Sequence, residues 1–246
     1  MAIQSNKVSV HGSQMHYLSE GTGKPIVFLH GAPVSSYVWR NIIPKVARKA
    51  LCIAPDFIGM GESDKPAIEY TIQDHIKYFE GFAKALELKE ITLVMLGLGS
   101  VVGMAYAQKY PEKISGLVFT DAYLRLEKNR QDISLIFEKL KVLAQDDSTK
   151  LKKMLTDAFW KTLQDNPYVN PDSKVIPIIE KYSEWLEKTP VKKLLLYGGP
   201  GFITTKTAVS WAIKTLPNLK AVDLGPAATM SDAMAAKFSE ALLSWL

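Results

Sequence analysis

The four histidines of this chain are its natural candidates for proton transfer near neutral pH, and all lie in its first third. They are His11, His16, His30 and His75. Ser100 follows the glycine-rich run Gly97-Leu98-Gly99 and is a candidate hydroxyl nucleophile. A serine nucleophile needs a base, and the histidines to consider for Ser100 are His30 and His75. The sequence therefore provides few partners for nucleophilic catalysis in the second half of the chain.

Asp121 is the candidate acidic group, because it follows Ile114–Thr120, an apolar run that predicts a strand. Its two interpretations are a general base and a half-buried carboxylate held by backbone N–H groups. Cys52 lies inside the apolar run Leu51–Ala54, which favours a small buried side chain over a reactive thiol. No cluster of His, Cys and acidic residues has the spacing of metal ligands, so we expect no metal and no cofactor.

Short apolar runs alternate with helical patterns along the chain, which predicts a largely parallel sheet with helices on both faces. The predicted strands are Val8–Val10, Gln14–Tyr17, Pro25–Leu29, Leu51–Ala54, Ile91–Leu96, Ile114–Thr120, Val191–Tyr197 and Lys220–Leu224. The predicted helices include Trp39–Ala50, Ile72–Leu88, Ser100–Lys109 and Met234–Leu246. The fold class is therefore α/β.

Strand patterns vanish between Ala122 and about Thr189, where the sequence is helical and charged. Ligands of open α/β sheets bind at the carboxyl ends of the strands, and helices inserted between two such strands would cover that crevice. We therefore predict an α/β core made of residues 1–121 and 190–246. Residues 122–189 are predicted to form a helical cap.

Composition places the chain among ordinary globular proteins. It has 246 residues, 47% of them hydrophobic, a formal net charge of +5 and one cysteine, which excludes a disulfide framework. The mild positive charge does not argue for nucleic acid or a membrane as a partner. No apolar run approaches the roughly 20 residues that span a bilayer, and the N-terminus has no signal pattern. We expect a cytoplasmic location.

Several longer runs carry family information. They are His30-Gly31, Ser35–Pro44, Cys52–Gly61, Ser63–Pro66, Asp74-His75, Leu194–Gly201 and Asp223–Pro226. These runs closely resemble those of the haloalkane dehalogenases, and the match extends from about Val8 to the C-terminal helix. The resemblance implies an α/β-hydrolase fold, with a short helical cap inserted after the strand that ends at Asp121.

The resemblance also implies a mechanism that needs five side-chain functions. A carboxylate on the turn after the central strand displaces halide, a histidine oriented by an acid activates water, and two side-chain N–H donors hold the halide. In this chain Gly97 occupies the nucleophile position. Leu98 occupies the position of the tryptophan donor, and Ala32 that of the asparagine donor. The histidine position falls on Ala228 or Thr229. None of these side chains can perform the implied step.

One of the five functions is kept. Asp121 matches the acid position of one branch of the family, and the acid position of the other branch falls on Gly201. The backbone N–H groups of Leu98 and Ala32 do not depend on side-chain identity and would still form an oxyanion hole. The predicted pocket comprises His30, Gly31, Ala32, Gly97, Leu98, Ala228 and Thr229, with Asp121 as the candidate catalytic group.

Three functional hypotheses follow from these residues. In the first, the protein binds a small apolar molecule or carries out an isomerisation, cyclisation or elimination, with Asp121 as the base. In the second, it hydrolyses a small ester, epoxide or halide through an unconventional nucleophile. In the third, the cap surface binds a protein partner without catalysis. The first hypothesis ranks highest, because replacement of the nucleophile, histidine and halide-donor positions favours an apolar pocket.

Overall fold

The structure is a computed structural model that describes residues 2–127, 157–164, 166–168, 170, 172–198, 201, 203–225 and 232–246. Its strands are β1 (Gln4–Val10), β2 (Ser13–Glu20), β3 (Pro25–Leu29), β4 (Leu51–Pro55), β5 (Ile91–Gly97), β6 (Ile114–Ala122), β7 (Lys193–Tyr197) and β8 (Leu219–Asp223). They form one sheet in the order β1-β2-β4-β3-β5-β6-β7-β8. The pairs β1/β2 and β2/β4 are antiparallel, and the others are parallel. The predicted α/β class is confirmed.

The helices of the described residues lie between these strands and after the last of them. They are α1 (Ile43–Val46), α2 (Ile72–Ala85), α3 (Leu98–Lys109), α4 (Asp157–Gln164), α5 (Val175–Leu186), α6 (Lys206–Thr215) and α7 (Asp232–Trp245), with 3₁₀ turns at Ser36–Trp39 and Pro111–Lys113. Among these helices, none combines the length and apolar character needed to cross a bilayer.

The sheet lies between two apolar clusters. Side chains alternate along a strand, so Val27 and Leu29 of β3 join the cluster beneath α2 and α3, while Ile26 and Phe28 face the opposite cluster beneath α1 and α7. All four side chains are buried. A strand covered on both faces reads as a continuous apolar run, which is the pattern seen in the sequence of β3.

One predicted helix is much shorter in the structure. The pattern over Trp39–Ala50 resolves into a 3₁₀ turn, Ser36–Trp39, and the single turn of α1. Pro44 sits at the start of α1 and has no N–H to donate to a residue of the preceding turn. A continuous helix therefore cannot pass through this proline without losing a hydrogen bond.

The strands of the sheet fall within the predicted core ranges except for the last residue of β6, Ala122. The helices α4 and α5 lie within the predicted cap range, 122–189. Residues 128–156 of that range lie outside the described residues. The division into core and cap therefore stays a prediction.

Candidate functional site

A sharp strand-to-helix turn lies at the centre of the sheet, where β5 ends at Gly97 and α3 begins at Leu98. Gly97 has φ 52° and ψ −121°, a conformation that is strained for residues with a side chain. A Cβ on Gly97 would lie 3.3 Å from the Cα of Gly31 and 3.6 Å from Cδ1 of Ile203. This geometry is that of the nucleophile elbow of α/β hydrolases, here without a side chain.

A cavity of about 350 Å³ opens beside this turn. Most of the lining side chains are apolar, among them Val34, Ile72, Leu96, Leu98, Val101, Phe159, Leu163, Val175 and Ile203. Among the residues that the structure describes, four lining side chains contribute polar groups, namely Asp121, Tyr123, Thr162 and Asn166. The site is therefore an apolar chamber at the carboxyl ends of β5 and β6, where ligands of α/β sheets bind.

The carboxylate of Asp121 connects the end of β6 to the segment that follows β7. Its Oδ1 accepts hydrogen bonds from the backbone N–H groups of Ile203 at 2.6 Å and Thr204 at 2.9 Å. Asp121 has φ 42°, in a region that aspartate tolerates better than most residues. Its carboxylate thus orders the backbone of a neighbouring loop and also lines the cavity.

Gly201, the alternative acid position, has no room for a side chain. A Cβ there would lie 2.5 Å from the carbonyl oxygen of Thr204 and 2.9 Å from Oδ1 of Asp121. Both distances are below van der Waals contact. The carboxylate of Asp121 therefore occupies the space that an acid at position 201 would need.

Ser100 is buried in the first turn of α3 and is not among the residues that line the cavity. Its hydroxyl donates to the carbonyl oxygen of Gly97 at 2.7 Å and accepts the N–H of Tyr123 at 2.9 Å. The hydroxyl proton is therefore committed to a backbone carbonyl, which argues against Ser100 as a nucleophile for the cavity.

Cys52 is equally unsuited as a nucleophile, because burial, with a smaller effect of Glu20, raises the pKa of its thiol to about 12.

His30 lies behind the loop that lines the cavity and is not itself a lining residue. Its Nε2 accepts the N–H of Phe57 at 3.0 Å, so the ring proton sits on Nδ1, which donates to the carbonyl oxygen of Gly31 at 2.6 Å. Burial lowers the pKa of His30 and keeps the ring neutral. Both nitrogens are thus used to hold the loop, and neither is directed at a substrate.

His75 does not line the cavity itself but lies next to a residue that does. Its Nε2 lies 2.9 Å from the hydroxyl of Thr162, a lining residue on α4, whereas its Nδ1 is buried without a hydrogen-bond partner among the described residues. Burial and, to a smaller extent, His30 lower the pKa of His75 from 6.5 to about 4, against a weaker opposite effect of Asp74. His75 is therefore a neutral residue that joins α2 to α4.

The predicted pocket residues Gly31, Ala32, Gly97 and Leu98 all line the cavity, as does Asp121. Ala228 and Thr229 lie outside the described residues. Sequence reasoning missed Tyr123 and Asn166, whose side chains meet at 2.8 Å between the tyrosine hydroxyl and the amide Nδ2. Tyr123 could have been predicted from its position two residues after Asp121, because alternate residues at a strand end lie on the same face.

The fold and the elbow define the class of this protein. The family model of the alpha/beta hydrolase fold matches residues 24–164, more than half of the chain, and the chain belongs to that family. This identification agrees with the elbow geometry at Gly97 and with the eight-stranded sheet.

The individual relatives include enzymes of two named activities. A haloalkane dehalogenase of Mesorhizobium japonicum is 28% identical over 100% of this chain and 92% of its own length. A cis-3-alkyl-4-alkyloxetan-2-one decarboxylase of Shewanella oneidensis is 42% identical, over 45% of this chain and 36% of its own. The crystal structure of the haloalkane dehalogenase DatA from Agrobacterium tumefaciens C58 matches with a TM-score of 0.85 and 25% identity, covering 100% of this chain and 98% of that one.

Proposed function

We propose that this protein binds a small apolar molecule in the cavity and does not dehalogenate by the mechanism that the family resemblance implies. The observation that carries the proposal is the elbow, where Gly97 stands at the nucleophile position with no side chain. The next residue, Leu98, lines the cavity with an apolar group where the resemblance implies an N–H donor. Loss of a single key member of such a catalytic unit typically costs about 10⁴-fold or more in turnover.

The remaining polar groups of the cavity support binding of an apolar ligand, because they are engaged by the protein itself. The amide of Asn166 donates to the hydroxyl of Tyr123, and the hydroxyl of Thr162 lies 2.7 Å from the carbonyl oxygen of Ala158. Oδ1 of Asp121 accepts two backbone N–H groups. Shape and apolar contact are therefore expected to dominate recognition.

The same proposal assigns residues 122–189 to a cap that covers this chamber. Phe159, Thr162 and Leu163 of α4 line the cavity, as does Val175 at the start of α5. Contacts that attach α4 to the core include the Thr162–His75 hydrogen bond and a 2.9 Å bond from Nζ of Lys161 to the carbonyl oxygen of Ile68. These contacts position α4 to close one side of the site.

A second candidate function is a non-hydrolytic reaction in the same chamber. It is favoured by the presence of Asp121 in the cavity wall together with the first backbone N–H of α3, at Leu98, which has no acceptor inside its own helix. A carboxylate base and a fixed N–H donor suit a unimolecular rearrangement or elimination. The decarboxylase relative, whose name describes a reaction of a dialkyl oxetanone, supports testing such a ring as a substrate.

The test measures thermal unfolding and product formation with one panel of compounds. The panel contains bromoalkanes, epoxides, activated esters and a dialkyl oxetan-2-one. The variant Leu98→Trp fills the cavity with a larger ring, and Leu246→Trp, at the exposed C-terminal residue, is its matched control. A ligand at a hundredfold excess over its Kd stabilises by about 2.7 kcal/mol, which corresponds to a rise in Tm of roughly 5–10 °C for a chain of this size.

Binding without turnover predicts that Tm rises for the wild type and for Leu246→Trp but not for Leu98→Trp. Product formation that Asp121→Asn abolishes would overturn the binding role and support the second candidate. Absence of any Tm shift and any product across the panel would contradict both.

A further inference from the structure

Ser5, His16 and Asp56 form a hydrogen-bonded chain at the β1 side of the sheet, and none of them lines the cavity. The hydroxyl oxygen of Ser5 lies 2.9 Å from Nε2 of His16. Nδ1 of the same ring lies 2.7 Å from Oδ2 of Asp56. The order serine, imidazole and carboxylate, with these contacts, is that of a nucleophile activated by an oriented base.

The sheet register brings the three side chains together. Lys7 pairs with His16 across β1 and β2, and Ser5 lies two residues before Lys7 and so on the same face, which makes Ser5 and His16 diagonal neighbours. Asp56 follows β4 directly, and its backbone N–H donates to the carbonyl oxygen of His16 at 2.9 Å. Ser5 and His16 are therefore held by two paired strands, and Asp56 by the residue position that follows a third.

The hydrogen bonds of Asp56 decide which nitrogen of His16 carries the proton. Oδ1 of Asp56 accepts the N–H of Ser36 at 2.7 Å, and Oδ2 accepts the N–H of Glu62 at 2.9 Å. Burial acts to raise the pKa of this carboxyl, but the interaction with His30 and these N–H donors outweigh burial, and the pKa lies below its usual value. In the neutral form of His16, an ionised Asp56 accepts the proton of Nδ1, and Nε2 then presents its lone pair to the Ser5 hydroxyl.

The solvent exposure of the three hydrogen-bonded residues suits a reactive serine, which must be reached from solvent while its base is shielded. Ser5 is exposed on β1, whereas His16 and Asp56 are 3% and 1% exposed. The carboxylate of Glu62 lies 3.8 Å from Nε2 of His16, where it would stabilise an imidazolium ion. A small reagent from solvent can therefore reach the hydroxyl while the base stays shielded.

We propose that Ser5, His16 and Asp56 form a second site at which Ser5 is a nucleophile toward activated esters and fluorophosphonates. Oγ of Ser5 bonds to the carbonyl carbon, its proton passes to Nε2 of His16, and the leaving alkoxide departs as the alcohol with that proton. Water, deprotonated by Nε2 of His16, then attacks the carbonyl carbon of the acyl-serine, the bond from that carbon to Oγ breaks, and His16 returns the proton to Oγ of Ser5 as the acid is released. The proposal does not rest on the function of the cavity.

The rate at this site is limited by weak stabilisation of the negative charge that forms on the carbonyl oxygen when Ser5 attacks. The nearby cation that strand alternation places on the same face is Lys7, a flexible side chain rather than a rigid set of backbone N–H groups. The loss of a single rigid donor typically costs about 10²–10³ in rate. We therefore expect slow reaction, confined to reagents with good leaving groups.

The experiment follows covalent labelling of the intact chain by an alkyl fluorophosphonate, which replaces fluoride with the serine oxygen. Peptide mass spectrometry locates the adduct and measures its rate of formation. Ser5→Ala removes the nucleophile, and Ser9→Ala, at another exposed serine of β1, is the matched control. His16→Gln removes the base, and circular dichroism establishes that this variant is folded.

The expected result is an adduct on Ser5 that is absent in Ser5→Ala, is unchanged in Ser9→Ala, and forms about 100-fold more slowly in folded His16→Gln. Labelling of Ser5 no faster than of Ser9 would overturn the proposal, as would an undiminished rate in folded His16→Gln. If His16→Gln does not fold, the rates at Ser5 and Ser9 in the wild type decide the question. A wild-type chain without any Ser5 adduct, under conditions that label a known serine hydrolase, would also overturn it.

Discussion

The hydroxyl of Ser100 donates a 2.7 Å hydrogen bond to the carbonyl oxygen of Gly97 and so ties the first turn of α3 to the elbow. The hydroxyl oxygen of Ser100 also accepts the N–H of Tyr123, which follows the end of β6. A single buried hydroxyl therefore joins β5, α3 and β6 at the point where the cavity begins. Ser100 positions the site instead of reacting in it.

Ser100→Ala is expected to destabilise the protein without changing any activity of the cavity. The substitution leaves the buried N–H of Tyr123 without this acceptor, which typically costs about 1–3 kcal/mol. Ser183→Ala, which removes one hydrogen bond to the carbonyl oxygen of Leu124, is a milder control. Urea unfolding measures both losses. A large loss of turnover in folded Ser100→Ala would contradict the structural role.

Gly97→Ala is expected to lower the free energy of unfolding by about 1–3 kcal/mol, because the backbone at φ 52° disfavours a side chain. The added Cβ would also approach the Cα of Gly31 to 3.3 Å. Gly12→Ala, at φ 81° with nothing within 4 Å of its Cβ, isolates the cost of the backbone conformation alone. Denaturant titrations compare the two variants. Equal stability of Gly97→Ala and the wild type would show that the elbow is relaxed in solution.

Asp121→Ala is expected to cost more stability than Asp121→Asn. Alanine leaves the N–H groups of Ile203 and Thr204 without their acceptor and is disfavoured at φ 42°, whereas asparagine keeps an oxygen and tolerates that backbone region. The alanine variant should lose about 2–4 kcal/mol, and the asparagine variant distinctly less. Calorimetric Tm values test this order, and the reverse order would contradict the role of the carboxylate as acceptor for these two N–H groups.

Stability is expected to fall as the pH is lowered from 6.5 toward 4, partly because of His75. Its pKa is about 4 in the folded state, against 6.5 as its usual value, so the unfolded chain binds more protons within this window. The shift corresponds to about 3 kcal/mol lost by pH 4. His75→Gln should flatten the dependence of unfolding free energy on pH, and exposed His11→Gln controls for removal of an imidazole. An unchanged slope in His75→Gln would refute the assignment.

Much of the fold could be predicted from the order of residue types. The run Pro25–Leu29 is a strand with the same limits in the structure, and α2 begins at Ile72 as the periodicity predicts. Both elements are determined by local sequence. The strand is a continuous apolar run, and the helix has periodic apolar residues and a capping box formed by Thr71 and Asp74. The helix predicted over Trp39–Ala50 was wrong in extent, because its apolar period continues past a proline that interrupts the hydrogen bonding.

The sequence by itself determined the family resemblance and the residue types that line the elbow, since Gly97, Leu98 and Ala32 are read directly from their motifs. Only the tertiary structure decided the use of the other polar groups. It directs the hydroxyl of Ser100 into the backbone, places the carboxylate of Asp121 in the space beside Gly201, and brings Ser5 to His16 across two strands. Hydrogen bonds between distant segments depend on register and on loop geometry, which no local pattern of residue types encodes.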